Sequence, residues 1–479
     1  MKLFLRSALL LFGLLILYFL SLLIAEAIPN GWVEKNAELS FKTLTAEGEV
    51  PVLWITSGGI SLDNFTDNTM IRLSVQSSSK QGFISSTLDK RGGRYWHGFI
   101  VVLKPLLIFF QYKQIRFLLA VILFLLTACS TYLLKKRTNV YVALAYLLSL
   151  ICVHIYIVPF SLNFSSVFII MILALIALCL WPLDKYKWLP TFFLIVGSLT
   201  NFFDFLTAPL VTLGFPLVVY YCLQISRGNG REEVKVGIFG LFKFTFCWCV
   251  GYALTWATRW VLHWIFVGKG IWEDVGDTML FRTMGNSDYV LNRVEMWKKN
   301  FNMLVSRESV FLALAIIICV IAVFLWHKRA YRGKTWLEGI LKSGTIKDAA
   351  LKSVVAKGEF LESDAPRGIT LAGELPKGEI HKSESTTLAS EMLDSGSETP
   401  KGEIQKDKTP KNGVLAKLPL LIIAVYPAVW VTVLASHSQI HSWFTYRIFS
   451  VSIFAMLVVF FSVLSYQSKD IRDKTTQQN

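Results

Sequence analysis

Apolar residues fall along this chain in blocks of roughly 17–25, separated by short polar connections, and a helix of that length crosses about 30 Å of hydrocarbon. The first block runs from Leu3 to Ile24. Others lie near 115–134, 139–158, 166–183, 188–203, 209–225, 237–266, 309–327, 415–435 and 445–466. The pattern predicts an all-α integral membrane protein with about ten transmembrane helices. Residues 188–225 cannot form one span, because a helix of that extent would be about 57 Å long. They must turn near Pro209, with Asn201 and Asp204 at the bend. The run 98–112, broken by Lys104-Pro105, is too short to span and is expected to lie along the membrane surface.

The polar segments then divide the chain. Residues 1–27 form a first transmembrane helix. It ends in Ala25-Glu26-Ala27, which fits a signal-cleavage pattern, but the block exceeds an ordinary signal-peptide core, so an uncleaved anchor is expected. Lys135-Lys136-Arg137, Lys185, Lys187, Arg227, Arg231, Lys328-Arg329, Lys469 and Arg472 occupy one alternating set of connections, and 159–165, 201–208 and 436–443 hold no Lys or Arg. By the positive-inside rule the first set and both termini are cytoplasmic. Residues 28–114 become a long extracytoplasmic loop. Residues 115–332 are a transmembrane core with an outer loop at 268–308, and 413–479 are the last two spans and a cytoplasmic tail. Residues 333–412, rich in Lys, Glu, Ser and Gly with Lys-Gly-Glu at 357, 377 and 401, are too poor in apolar surface to offset the entropy of ordering. They are expected to be a disordered cytoplasmic insertion.

Composition narrows the class. Hydrophobic residues make up 54% and charged residues 17% of the 479, too few charges for a soluble domain of ordinary kind. The net charge of +15 is spread around apolar blocks rather than gathered on an arm or helix, which argues against nucleic acid as a partner. All seven cysteines lie inside apolar blocks, so neither a disulfide framework nor a loop zinc site is indicated. No phosphate-binding glycine loop, dinucleotide fingerprint, serine-nucleophile elbow or HExxH motif occurs, leaving those cofactor and hydrolase chemistries without support.

Ionisable groups in or beside apolar blocks are the functional candidates, because placing them there is costly. Asp204 either caps the helix that follows or lines a cavity. At the turn between the last two spans, His437 and His441 share a helical face and stand near Tyr446 and Arg447, a plausible grip for an anion. Arg94 and His97, in Arg-Tyr-Trp-His, form either an aromatic belt at the headgroups or a second wall of the same outer cavity. Asp63 and Asp67, four apart, are candidate catalytic carboxylates, as are Glu26 and Glu34 just after the first span. Asn64-Phe-Thr66 also matches a glycosylation sequon. Glu273, Asp274 and Asp277 are the alternative as a divalent-metal site; otherwise no cofactor is expected.

The layout of first span, long outer loop, surface-lying run and many spans with polar outer turns resembles the GT-C architecture of membrane glycosyltransferases. The stretches RYWHGFIVVLKPLLIFF, TNFFDFLTAPLVTLGFPL and SHSQIHSWFTYR also resemble those of a group of bacterial multi-span envelope proteins, which implies a bacterial plasma membrane. The acidic residue of the GT-C family lies soon after the first span, where this chain has Glu26 and Glu34, with Asp63 further on. The resemblance implies a sugar moved from a polyprenyl-phosphate donor in the membrane lipid to an envelope acceptor on the outer face. Asp63, Asp67 or Glu34 would be the base. Arg94, His97, His437, His441 and Arg447 would meet the phosphate, with Asn201, Asp204 and Tyr446 helping to bind substrate. Two alternatives stand beside it. One is a transporter or flippase of a lipid-linked or anionic solute, favoured by Lys243 and Arg259 within 237–266. The other is a non-enzymatic assembly scaffold.

Overall fold

The computed structural model describes residues 2–52, 60–76, 82–181, 187–226, 233–268, 270–305, 318 and 417–477. Almost all of these belong to one compact unit, residues 1–317 with 411–479. The expected span at 309–327, except residue 318, and the insertion at 333–412 lie outside the described residues.

Every regular element among the described residues is helical. In chain order they are α1 (Lys2–Glu26), α2 (Asn30–Glu47), α3 (Asn64–Val75), α4 (Phe83–Leu88), α5 (Ile100–Phe109), α6 (Tyr112–Arg137), α7 (Val140–Ile151), α8 (Leu162–Leu180) and α9 (Leu189–Phe203). Then come α10 (Val211–Ile225), α11 (Glu233–Phe266), α12 (Ile271–Met284), α13 (Arg293–Leu304), α14 (Leu418–Val433), α15 (Ala435–Ile440), α16 (Ser442–Thr445) and α17 (Ser450–Gln477). Five described stretches are long and apolar enough to cross a membrane: Phe4–Glu26, Tyr112–Arg137, Leu162–Leu180, Gly237–Phe266 and Ser442–Val463. The described residues therefore make up an all-α membrane protein. Helices α7, α9, α10 and α14 form where the remaining apolar blocks fall, but they are shorter, at 12 to 16 residues. Local chemistry sets some of these ends. Pro190 and Pro419 start α9 and α14 at positions that need no N–H donor. The chain leaves α7 through His154, which has a left-handed backbone.

The segment 28–97, expected to be a loop, contains helix. Val33, Ala37, Ser40 and Leu44 recur at helical spacing, and α2 buries that face. Behind it, Tyr18 of α1 stacks on Phe202 of α9 with ring centroids 4.0 Å apart, and Trp96 meets Phe202 edge-on. Helices α9 and α11 pack closely because two glycines face the partner backbone. A Cβ on Gly197 would lie 2.1 Å from the Trp248 carbonyl, and one on Gly251 would lie 2.0 Å from that of Leu194.

Glu26, at the end of α1, is buried between two buried lysines. Its Oε1 accepts from Lys90 Nζ at 2.5 Å, and its Oε2 is 3.7 Å from Lys104 Nζ. Lys90 also donates to the Leu73 carbonyl, so this carboxylate ties α1, α3, the 89–94 loop and α5 together. Glu26→Ala would strand two buried ammonium groups, and breaking such a group costs about 3–5 kcal/mol. A thermal unfolding scan in detergent is expected to show a large drop in midpoint, with Glu26→Gln falling less. The sequon residue Asn64 is buried as well. Its Nδ2 donates to Glu47 Oε2 and the Gly48 carbonyl, and its Oδ1 accepts from Arg116, leaving no place for a glycan.

Candidate functional site

The segment 88–97 is strapped to α11 by donors aimed at its backbone. Trp256 and Trp260 indole N–H groups donate to the Arg94 carbonyl at 2.7 and 3.2 Å, and Arg259 Nε donates to that of Tyr95 at 2.8 Å. Trp96 returns the contact by donating to the Thr255 carbonyl. Arg259 thus serves the fold, and Lys243 is exposed on the surface of α11. His97, with φ of 57°, turns the chain into α5 and packs edge-on to Tyr95 and Phe99.

Helix α12 lays one face over this segment. Asp274, Thr278 and Arg282 follow at four-residue spacing and therefore lie along one side. Arg94 Nη1 donates to Thr278 Oγ1 at 2.7 Å, and its Nε is 3.3 Å from Asp274 Oδ2, an ion pair without hydrogen-bond alignment. Arg282 Nη2 donates to the Tyr95 hydroxyl, while its Nη1 donates to His437 Nδ1 at 3.0 Å.

These bonds settle the state of His437. Its Nε2 lies 3.0 Å from the Leu206 carbonyl, which can only accept, so Nε2 carries the proton. Arg282 can only donate, so Nδ1 is bare. Both partners hold a neutral imidazole, and burial with the Arg282 charge pushes its pKa well below the usual histidine range. His441, with its ring centroid 4.8 Å from that of His437, is pushed down to about 4 by burial first and by Arg282 second. The expectation that these histidines supply positive charge is therefore corrected: near neutrality they are uncharged, and the cations beside them are Arg94 and Arg282.

Asp63 enters from the other side. Its Oδ1 accepts from the Thr66 N–H at 3.1 Å, capping α3, and its Oδ2 accepts from Asn163 Nδ2 at 2.9 Å. Asn163 Oδ1 in turn accepts from Thr207 Oγ1, and the Thr207 N–H donates to Asp204 Oδ1 at 3.0 Å. One chain of hydrogen bonds thus joins Asp63, the start of α8 and the bend after α9. Burial raises the Asp63 pKa, against the lowering effects of the Thr66 and Asn163 bonds and the Arg447 charge.

Asp67 has a different role. Its carboxylate accepts from the Tyr112 hydroxyl, Ser161 Oγ and the N–H groups of Leu162 and Asn163. Ser161, the N-cap of α8, makes no capping bond of its own, and Asp67 supplies the cap from another helix. With four donors on two fully buried oxygens, it is a structural anion, not the base that its spacing from Asp63 suggested.

Asp204 partly fits the capping reading, with a shift of place. It ends α9 and organises the bend rather than capping α10. Its Oδ2 is buried without a hydrogen-bond partner, and burial pushes its pKa up to about 7. A raised carboxyl pKa means that the folded state holds the proton more tightly than the unfolded chain, whose value is about 3.9. The stability this contributes is complete below about 4 and is lost as pH rises through about 7. Asp204→Asn keeps the acceptor for Thr207 and does not ionise. The variant is expected to lose less stability than the wild type between pH 4 and pH 8. Thermal midpoints across that range measure the difference.

Asp63, Arg94, Tyr95, Asn163, Arg282 and His441 line one cavity of about 350 Å³, together with His437, Phe205, Trp443 and Phe444 and, on the α2–α3 side, a second carboxylate, Glu49, with Val50, Phe65 and Thr66. A second, open space of about 570 Å³ shares Arg94, Arg282, His437 and His441 and is also lined by Asp277, Thr278 and Asn286. The two arginines stand between the lobes. Of the candidate residues, Asp63, Arg94, His437 and His441 thus converge. Asp204 and His97 sit behind the wall made by Phe205 and Tyr95. Arg447 is fully buried behind Trp443 and Phe444, stacked 4.1 Å from the Phe164 ring, with Nη1 donating to the Trp443 carbonyl. Tyr446 points away, its hydroxyl 2.9 Å from His154 Nδ1. Asn201 is buried beside Tyr252, and Glu34 is exposed on α2; neither lines the cavity. Among the described residues no three His, Cys, Asp or Glu side chains come together as a metal ion requires.

Arg282, Asn163 and Tyr95 are the residues that sequence reasoning passed over. For Arg282 the signal was present in the four-residue spacing from Asp274 and Thr278. No family model, curated protein or solved structure matches the chain.

Proposed function

We propose that this protein is a membrane glycosyltransferase that moves a sugar from a polyprenyl-phosphate donor to an acceptor hydroxyl at the outer face of the membrane. The observation that carries the reading is the juxtaposition, in one cavity, of a buried carboxylate with two arginines. The outer placement follows from the basic connections, which mark the opposite ends of the helices as cytoplasmic.

The chemistry follows from the residues. Burial makes Asp63 a stronger base than an exposed carboxylate, and its two accepted hydrogen bonds leave lone pairs free. Asp63 takes the proton of the acceptor hydroxyl as that oxygen attacks the anomeric carbon. The bond from that carbon to the phosphate oxygen breaks, and the phosphate leaves with the electron pair. Its growing negative charge falls to Arg94 and Arg282, which are held in place before reaction by Thr278, Asp274, Tyr95 and His437. Neutral His437 holds Arg282 in position without competing for the anion. His441, also neutral, offers an imidazole to a sugar hydroxyl. Asn163 and Thr207 fix the carboxylate of Asp63 against the bend that bears Asp204.

Purified protein in lipid nanodiscs, supplied with polyprenyl-phosphate sugars and a lipid-linked or polymer acceptor extract, tests the reading. Release of free polyprenyl phosphate together with a glycosylated acceptor supports it. Movement of intact donor between leaflets, with no bond broken, would identify a flippase instead.

A further inference from the structure

The base of the proposed reaction has to be ionised before the acceptor hydroxyl reaches it, and burial works against that. Asp63 is buried and forms no ion pair among the described residues. The groups that face it supply little of the missing charge. Glu49 and Asp67 are acidic and oppose a further negative charge beside them. His437 and His441 are neutral near pH 7. Arg94 is held by Thr278 and Asp274, and Arg282 by Tyr95 and His437. Both arginines stand where the cavity meets the open second space, so water and salt screen them.

Arg447 meets the same first turn of α8 without lining the cavity. Two consecutive residues of that turn carry the two charges. Asn163 Nδ2 donates to Asp63 Oδ2 at 2.9 Å, and the Phe164 ring lies 4.1 Å from the Arg447 guanidinium. The Tyr446 ring, at 4.9 Å, is a second aromatic contact of that cation. Arg447 is fully buried, and its Nη1 donates to the Trp443 carbonyl, while Nε and Nη2 have no hydrogen-bond partner among the described residues. Aromatic faces offset part of the cost of burying a guanidinium, but they are not a counter-charge. The structure thus holds a buried anion and a buried cation, each without an ion pair, on adjacent residues of one helical turn. Asp63 feels the Arg447 charge, which favours its ionised form.

We infer that Arg447 is the counter-charge of Asp63, a positioning residue that never meets the substrate and keeps the base ionised from behind the cavity wall. The separation matters chemically. A guanidinium in direct contact would occupy the carboxylate's lone pairs and weaken it as a base. A charge set back beside Phe164 favours ionisation and leaves those lone pairs to the acceptor hydroxyl. This role rests on the glycosyl-transfer reading of the cavity and adds to it the group that tunes the base.

Infrared spectra of the full chain in nanodiscs, recorded as pH is lowered, follow the carboxylic-acid C=O band of Asp63, which is identified by its absence from Asp63→Asn. Arg447→Gln removes the charge and Arg447→Lys keeps it. The band is expected to appear at higher pH in Arg447→Gln than in the wild type, with Arg447→Lys following the wild type. The pH profile of sugar transfer should move with it. Arg447→Gln is expected to lose several-fold on the acidic limb and to match the wild type on the alkaline plateau. A rate lowered equally at every pH, with the band in its wild-type place, would make Arg447 a structural residue only and overturn the inference.

A second measurement needs no variant. Arg447 is closed off from solvent, so the Asp63 band of the wild type is expected to keep its pH between about 50 mM and about 1 M sodium chloride. A band that moves to higher pH as salt is added would assign the effect to Arg94 and Arg282 instead. The two readings fail separately. A titration coupled to Arg447 without transfer removes the glycosyltransferase alone, and transfer with an unmoved titration removes the role of Arg447 alone.

Discussion

Asp63→Asn is expected to slow sugar transfer by about 10²–10⁴-fold, the usual contribution of a positioned general base. The substitution is close to isosteric and keeps Oδ1 as the acceptor for the Thr66 N–H, so the cap of α3 survives. It removes the proton acceptor and sets an amide N–H₂ against Asn163 Nδ2, where a carboxylate oxygen now accepts. Rotating Asn163 to relieve that clash would break its bond to Thr207. Some stability is therefore lost with the rate, on the order of 1–3 kcal/mol for a buried polar mismatch. A thermal scan alongside the transfer assay separates the two. Rate loss in a variant still folded at the assay temperature assigns the base. Full activity would remove Asp63 from the mechanism.

Arg282→Ala is expected to lower transfer by about 10²–10³-fold, as does loss of a preorganised donor to a developing anion. Arg282→Lys should recover only part of this, because an ammonium cannot meet Tyr95, His437 and a phosphate with one planar fork. A second effect identifies the cause. In the wild type, Arg282 donates to His437 Nδ1 and its charge helps keep that ring neutral. Without it Nδ1 is free to take a proton, so the His437 pKa rises, while burial, the larger cause, still holds it below the usual histidine range. The variant should gain a new response to acid that the wild type lacks, visible as a shift in the imidazole signals of a pH titration by NMR. An unaltered titration with lost activity would mean that Arg282 acts without engaging His437.

Much of the helical framework was legible in the chain because hydrocarbon needs long apolar runs, and those runs cannot hide. Each described apolar block formed a helix, though α7 stops at Ile151, well short of the expected 158, and α17 runs from Ser450 to Gln477, well past the expected 466; Pro190 and Pro419 marked two starts. The helices of the polar segments were legible too, but at lower contrast. The stripe Val33, Ala37, Ser40 and Leu44 carries a helical period that mixed charge on the other faces obscures.

The site was legible only by residue type. Asp63, Arg94, His437 and His441 stood out because charge and imidazole are rare beside apolar blocks. Their roles depend on partners far along the chain. The neutrality of His437 comes from the Leu206 carbonyl and from Arg282, neither of which HxxxH spacing reveals. Asp63 and Asp67 have the same residue type four positions apart, yet one opens onto a cavity and the other caps α8. The difference lies in what the 161–163 turn presents to each, and no local pattern encodes it.

The most direct measurement is mass spectrometry of the envelope glycolipids and glycopolymers from cells lacking this protein, compared with cells carrying the wild type or Asp63→Asn. Outer-face transfer predicts that one sugar substituent disappears in both defective strains while its polyprenyl-phosphate donor accumulates. An unchanged glycan profile in cells shown to express the protein would contradict the account.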